Sequence, residues 1–387
     1  MNNLKKNIWK LYIIKGLMWF MLAMPIIIIF FQENGLSLME IMILQGTYSL
    51  MIAFMEIPSG YFADKYGRKK TLLFGTIFCF VGFIFFSFSY TFFSFLIAEI
   101  LLGLGNSFIS GSDSAILYDT LIEINQKDQY TKIEGKTYSV GNFSEATAGI
   151  IGGFLAEISL RYPWYLQVII AGLAIPFAYS IIEPKIKIVN NNLNNIFKVF
   201  KHTIWENKQL KWLIFFSAIT GFATLSIAWF SQPFFKEIGI PIKIFGIIWA
   251  LLNITVGLSS YNAHHLENLF NKTSILIITG LGISFSFGLL SLSNTKFGIF
   301  WIFIIYLIRG LATPILRNYI NEITSSNIRA TVLSIRSFII RVIFAVFAPL
   351  LGWISDTYSL QDCFIILGIT VGVISIICIR KIKLVNN

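Results

Sequence analysis

The sequence predicts an all-α membrane protein of twelve transmembrane helices in two six-helix, pseudo-symmetric bundles. Three observations predict it. Of 387 residues, 56% are hydrophobic and only 13% are charged, with a mean hydropathy of +0.74, a balance that no water-soluble domain carries. Apolar runs long enough to cross a bilayer recur along the whole chain. Lys and Arg gather in the short segments between those runs, so membrane orientation accounts for the net charge of +11 and no nucleic-acid partner is called for.

At about 20 residues per crossing, spans fall near residues 8–31, 39–62, 71–90, 92–122, 137–158 and 163–183, then 211–235, 243–262, 273–291, 296–322, 329–353 and 359–380. The first run follows Lys5 and Lys6 and lacks a small-residue cleavage site, so it reads as a retained helix rather than a signal peptide. The polar stretch from Glu183 to Lys211 divides the spans evenly. It gives an N-terminal bundle over 1–183, a cytoplasmic amphipathic linker over 184–210 and a C-terminal bundle over 211–387. Within the linker Ile196, Phe197, Val199, Phe200, Ile204 and Trp205 alternate with Asn, Lys and His in the pattern of a helix lying flat at the headgroups.

Placing both termini in the cytoplasm leaves roughly 21 Lys and Arg inside against roughly 4 outside, which fixes the orientation of a multi-pass membrane protein. The remaining cations, Lys15, Arg309, Arg317, Arg336 and Arg341, fall inside apolar segments. Cys79, Cys363 and Cys378 show no metal or redox spacing, and His202, His264 and His265 fall in segments read as cytoplasmic. No metal site or cofactor is expected. Nothing approaches GxxxxGK[ST], so ATP does not drive the protein directly. No Ser/His/Asp or Cys/His set shares a face, so the chain does not read as an enzyme.

The most informative stretch is Gly60 to Lys69, in which Gly60, Asp64, Lys65, Gly67, Arg68 and Lys69 spell GxxxDKxGRK between the second and third spans. Gly60 and Asp64, four apart, share a helix face, where Gly60 admits a neighbouring helix. Asp64 lies at a helix C-terminus, where the dipole disfavours an anion, so it needs a partner: Arg68 or the N-terminus of another helix. Gly67 supplies the turn.

This stretch resembles the signature loop between the second and third helices of the major facilitator superfamily. The resemblance implies two six-helix bundles around a central cavity, working by alternating access. Sliding the first half by about 203 residues lays Asp64 on Glu267 and Lys69 on Lys272, a weak internal repeat. Ala148, Gly149, Gly152 and Gly153 resemble the family's Gly-rich antiporter motif without its proline, and Ala348, Pro349 and Gly352 hold a similar place in the eleventh span. Small residues at this spacing also serve close helix packing alone.

Ionisable residues within spans are the candidate site. Each costs several kcal/mol if unpaired at membrane depth. The first half carries Glu56, Glu99, Asp113, Asp119 and Glu145; the second carries Arg309, Arg317, Arg336 and Arg341. Acid in one bundle and base in the other suits a gate of inter-bundle ion pairs. Helices four and ten of the family face each other, and two and eleven pack together. The resemblance therefore implies Asp113 or Asp119 with Arg317, and Asp64 or Glu56 with Arg336 or the helix start near Arg329. Asp119 and Arg317 also suit snorkelling interface residues, and Ser112 and Ser114 are placed to satisfy Asp113 locally. Glu99 stands where many proton-linked members carry an arginine, four residues before Gly103, and is the leading candidate for titration or for meeting a cationic substrate. Asp113, Glu145 and Glu56 follow it.

The expected function is proton-coupled efflux of amphipathic, drug-like small molecules by a monomer, as in the bacterial drug-exporting branches the chain resembles. One alternative is an importer or facilitator of a small anionic metabolite held by Arg309 and Arg341. The other is a non-transporting membrane sensor or assembly partner.

Overall fold

A computed structural model describes residues 2–185, 198–325 and 328–386. Residues 186–197 of the expected linker, Ile196 and Phe197 among them, lie outside the described residues. In chain order the helices are α1 (Asn2–Trp19), α2 (Ile27–Glu33), α3 (Leu38–Tyr66), α4 (Arg68–Phe88), α5 (Phe92–Glu123), α6 (Tyr130–Ile158) and α7 (Tyr162–Ser180). They continue as α8 (Lys208–Glu237), α9 (Ile242–Tyr261), α10 (Ala263–Leu269), α11 (Lys272–Ser291), α12 (Gly298–Glu322), α13 (Arg329–Thr357) and α14 (Leu360–Asn386).

Among the described residues, eleven helical segments are long and apolar enough to cross a membrane, with α1 and α2 counted as one. That first span is broken. A turn at Met24–Ile26 carries Pro25, whose missing N–H and ring cannot continue an α-helix. Helix α6 is 29 residues long but stays outside the eleven, because Lys132, Glu134, Lys136, Glu145 and Glu157 dilute its apolar character.

The chain forms two compact units. Unit 1 takes in Met1–Leu36, Ile43–Val189 and Pro241–Ala250; unit 2 takes in Ser37–Met42, Asn190–Ile240 and Leu251–Asn387. The first turn of α3 belongs with unit 2 and the first half of α9 with unit 1. Side chains explain both exchanges. In unit 2 the Asp356 carboxylate accepts from the N–H groups of Leu38 and Met39 at 2.9 and 2.8 Å, capping α3 from α13. There Gly352 presses on the Leu38 carbonyl, where a Cβ would come within 2.7 Å. In unit 1 Gly153 of α6 lies against Lys243 and Gly246 of α9, and Gly149 against Trp249. Lys243 Nζ also pairs with Glu157 at 2.9 Å.

Unit 1 is filled by an aromatic cluster: Phe30 and Phe31 of α2, Phe86 of α4, Phe95 of α5 and Trp164 of α7, all at most 2% exposed. Phe86 and Trp164 stack with centroids 4.4 Å apart. Arg161 closes the cluster at the end of the spans. Its guanidinium donates to Asn34 Oδ1 and the carbonyls of Ser87 and Ser89 while lying 3.7 Å from the Tyr90 ring centroid. Helices α4 and α5 pack through Gly75 and Gly105, where a Cβ on Gly105 would sit 2.8 Å from the Cys79 amide nitrogen. Unit 2 buries a second core around Phe216, Ile214, Leu316 and Ile320, in which Cys378 is simply a small apolar group.

Helix α6 meets the break in the first span at Gly152, where a Cβ would overlap the Leu22 carbonyl. Backbone leaves no room there. Gly152→Val is expected to cost about 1–3 kcal/mol through overpacking, lowering the unfolding temperature of the solubilised protein; an unchanged melting curve would show that α6 can slide away.

Candidate functional site

The signature hairpin is the best-defined part of the site. Helix α3 ends at Tyr66, and Gly67 turns the chain at φ +102°, a conformation that side chains with a Cβ rarely adopt, before α4 begins at Arg68. The Glu183 carboxylate, just past α7, caps that new helix by accepting from the backbone N–H of Arg68 and Lys69 at 2.8 and 2.7 Å. An anion at a helix N-terminus meets both free donors and the favourable end of the dipole. The Arg68 guanidinium turns into unit 1, where it pairs with Asp119 of α5 and donates to the Ala115 carbonyl at 2.8 Å.

Two expectations for this hairpin are corrected. Arg68 serves Asp119 rather than Asp64, because the one-residue turn at Gly67 redirects it from the face of α3 onto α5. Asp64 is exposed and has no ion pair among the described residues. Among the described residues nothing stands within 4 Å of where a Cβ on Gly60 would be. Lys65 lies over the rings of Tyr61 and Tyr66, and Lys69 over Tyr179.

The internal repeat is clearer in geometry than in sequence. In unit 2 Lys272 opens α11 as Arg68 opens α4, and it pairs with Glu322 near the end of α12. Glu322 lies 203 positions after Asp119, the same offset that carries Lys69 onto Lys272. Glu267, the counterpart of Asp64, accepts from Asn318 at 3.2 Å.

Deeper in unit 1 two polar pairs stand among apolar helices. Lys15 Nζ of α1 meets Asp113 Oδ2 of α5 at 2.9 Å, with the two side chains 18% and 11% exposed. The same ammonium lies 5.0 Å from the Trp19 ring centroid, and Trp19 in turn meets Tyr138 edge-on at 5.5 Å. Ser114 Oγ, next to Asp113, donates to Glu134 of α6 at 2.6 Å. The second pair is Glu99 of α5 with Gln45 of α3: each is 3% exposed, and Gln45 Nε2 donates to Glu99 Oε1 at 2.6 Å. Glu145 of α6 accepts from the Trp249 indole at 3.3 Å. Glu56 lies on an exposed face of α3.

Two arginines of unit 2, Arg336 and Arg329, bond within that unit. Arg336 is 7% exposed, and its Nε donates to Ser217 of α8. Arg329 reaches the carbonyls of Asn321 and Thr324. Arg309 lies 5.5 Å from the Tyr306 ring centroid, Arg341 is half-buried and Arg317 is exposed. The expected pairings of Asp113 or Asp119 with Arg317, and of Asp64 or Glu56 with Arg336 or Arg329, run between the two units; within the units, Asp113 and Asp119 take Lys15 and Arg68, and Arg336 and Arg329 take a hydroxyl and carbonyls. A charge at membrane depth is desolvated until something meets it, so the nearest packed helix supplies the partner.

Sequence reasoning missed Lys15, Gln45, Ser217 and Glu183 as partners. Lys15 did carry a signal, as a lysine well inside the first apolar run. No group of three or more potential metal ligands occurs among the described residues.

Residues 8–315 match the family model described as Major Facilitator Superfamily. A Bacillus subtilis protein described as an uncharacterized MFS-type transporter, YxaM, is 24% identical over 375 residues, which are 93% of this chain and 92% of that protein. The quinolone resistance protein NorA of Staphylococcus aureus is 22% identical over 375 residues, with the same coverage of both chains. Among solved structures, a mutant form of the nucleoside transporter NupG superposes with a TM-score of 0.84 at 14% identity, covering 98% of this chain and 99% of that one. A D-xylose–proton symporter gives 0.74 at 14% identity, covering 97% and 96%.

Proposed function

This chain belongs to the major facilitator superfamily, and from that premise we propose that it exports amphipathic, drug-like compounds in exchange for protons. As a multi-pass membrane transporter it takes a small molecule as its substrate. The finer reading includes twelve spans in two bundles joined by the 184–210 linker, both termini in the cytoplasm of a bacterium, and a monomer working by alternating access.

The observation that carries the proposal is the Glu99–Gln45 pair. A carboxyl buried in a helix bundle and met by a neutral amide can gain and lose a proton without breaking an ion pair. Asp113, by contrast, must release Lys15 to do so, which makes it a second station at which protonation and side-chain rearrangement are linked. Similarity to NorA along nearly the whole chain supports efflux as the direction. The sequence holds no phosphate-binding loop, so the proton gradient is the proposed energy source.

The test is reconstitution into vesicles with an imposed pH gradient and a fluorescent lipophilic cation as substrate. Movement of the dye against the proton flow, collapsed by an ionophore, is expected. A second reading rests on Arg309 and Arg341, half-buried in unit 2 with no carboxylate partner among the described residues. Gradient-independent uptake of a labelled organic anion, abolished in Arg309→Ala, would replace the export proposal with that of an anion importer.

A further inference from the structure

Beside the signature hairpin, away from the carboxyls assigned to transport, unit 1 has a cavity of about 390 Å³ walled by Tyr66, Lys69, Lys70, Leu73, Tyr179 and Glu183. Its charge balance is unusual. Both oxygens of Glu183 are taken by the N–H groups of Arg68 and Lys69, and Arg68 itself is taken by Asp119. Lys69 and Lys70 therefore face the cavity with no ion pair among the described residues. Lys65 lies over Tyr66 on one side, and Lys10 on the other is held by the Ser180 carbonyl at 2.5 Å. Even with Asp64 counted against them, these lysines leave the cluster net positive.

The walls say what kind of anion fits. The cavity lies at the ends of α3 and α7 and the start of α4, the level at which spans meet headgroups. Tyrosine is enriched at that level, and Tyr66 and Tyr179 are 48% and 68% exposed. Leu73 carries the wall along α4, and Ile77, four residues on, shares its helix face, so an apolar track leads from the basic mouth along α4. A soluble anion would use only the mouth. A phospholipid uses both, and basic pockets between spans on the cytoplasmic side suit anionic headgroups.

We propose that this cavity binds the phosphate of an anionic phospholipid headgroup, with Lys69 and Lys70 as counter-cations, the rings of Tyr66 and Tyr179 at its sides and an acyl chain along Leu73 and Ile77. The site holds the first turn of α4 to the lipid surface. Lipid binding does not depend on the substrate or on the coupling ion, so it stands or falls separately from the export reading.

The experiment is native mass spectrometry of the full-length protein in detergent, titrated with phosphatidylglycerol and phosphatidylcholine of the same acyl chains. Preferential retention of phosphatidylglycerol is expected. The double variant Lys69→Gln, Lys70→Gln should lose it by about fivefold per lysine removed, whereas Lys296→Gln should bind as wild type. Leu73→Trp, which keeps every charge and fills the track, is the second variant and should also lose the lipid. Equal retention of the two lipids, wild-type retention in both Lys69→Gln, Lys70→Gln and Leu73→Trp, or full displacement by millimolar glycerol phosphate would overturn the proposal, the last by making the site one for soluble anions.

Discussion

Glu99→Gln is expected to abolish dye accumulation driven by a pH gradient while leaving dye exchange at equal pH intact. The substitution is close to isosteric, and Gln45 can still donate to the new amide oxygen across the same 2.6 Å, so α3 and α5 keep their packing. What disappears is the exchangeable proton. If that proton is the one carried, gradient-driven flux should fall by about 100-fold or more, the scale on which proton transfer by a positioned side chain contributes to rates. Exchange at equal pH needs only substrate binding and alternation of the two states, so it isolates coupling from folding. Gln45→Leu is a milder perturbation, since it leaves the acid but removes its donor and should shift the pH at which flux is half-maximal. Unimpaired gradient-driven flux in Glu99→Gln would transfer the proton to Asp113, Glu145 or Glu56 and remove the observation on which the export proposal rests.

The parts of this protein that were legible in its sequence are those fixed by local patterns. Spans are set by apolar length against the thickness of a bilayer, so the helices follow the expected runs apart from the turn at Pro25 and the polar dilution of α6. The Gly67 turn was legible because few residues other than glycine tolerate its φ. Partner choice was not. Lys15 and Asp113 are 98 positions apart, as are many equally plausible pairs, and only the packing of α1 on α5 selects this one. Arg68 misled for the opposite reason: its proximity to Asp64 in sequence suggested a local pair, whereas the turn between them directs the guanidinium to Asp119. Glu183 looked like the edge of a linker, and its role as a cap became visible only once α7 had brought it back to the start of α4. Separating acids and arginines by halves of the chain was a true feature of the sequence. It suggested pairs between halves and passed over Lys15 and Arg68, the cations within reach of Asp113 and Asp119.

That choice of partner leads to the second large effect, expected at Lys15 and Asp113. Removing either side chain alone leaves a charge among apolar helices, and breaking such a pair costs about 3 kcal/mol or somewhat less here, since both side chains keep some exposure. Lys15→Met and Asp113→Leu, made singly, should each lower the unfolding temperature of the solubilised protein clearly. Made together they remove both charges, and stability should return towards wild type, because apolar replacement of a buried pair is often neutral or better. Flux separates the structural from the functional reading. If the pair only holds α1 to α5, the stable double variant should transport normally. If, as proposed, protonation of Asp113 frees Lys15 during the cycle, the double variant should be stable and inactive in gradient-driven transport. Wild-type flux in that variant would reduce the pair to a staple between two helices and remove Asp113 as a proton station.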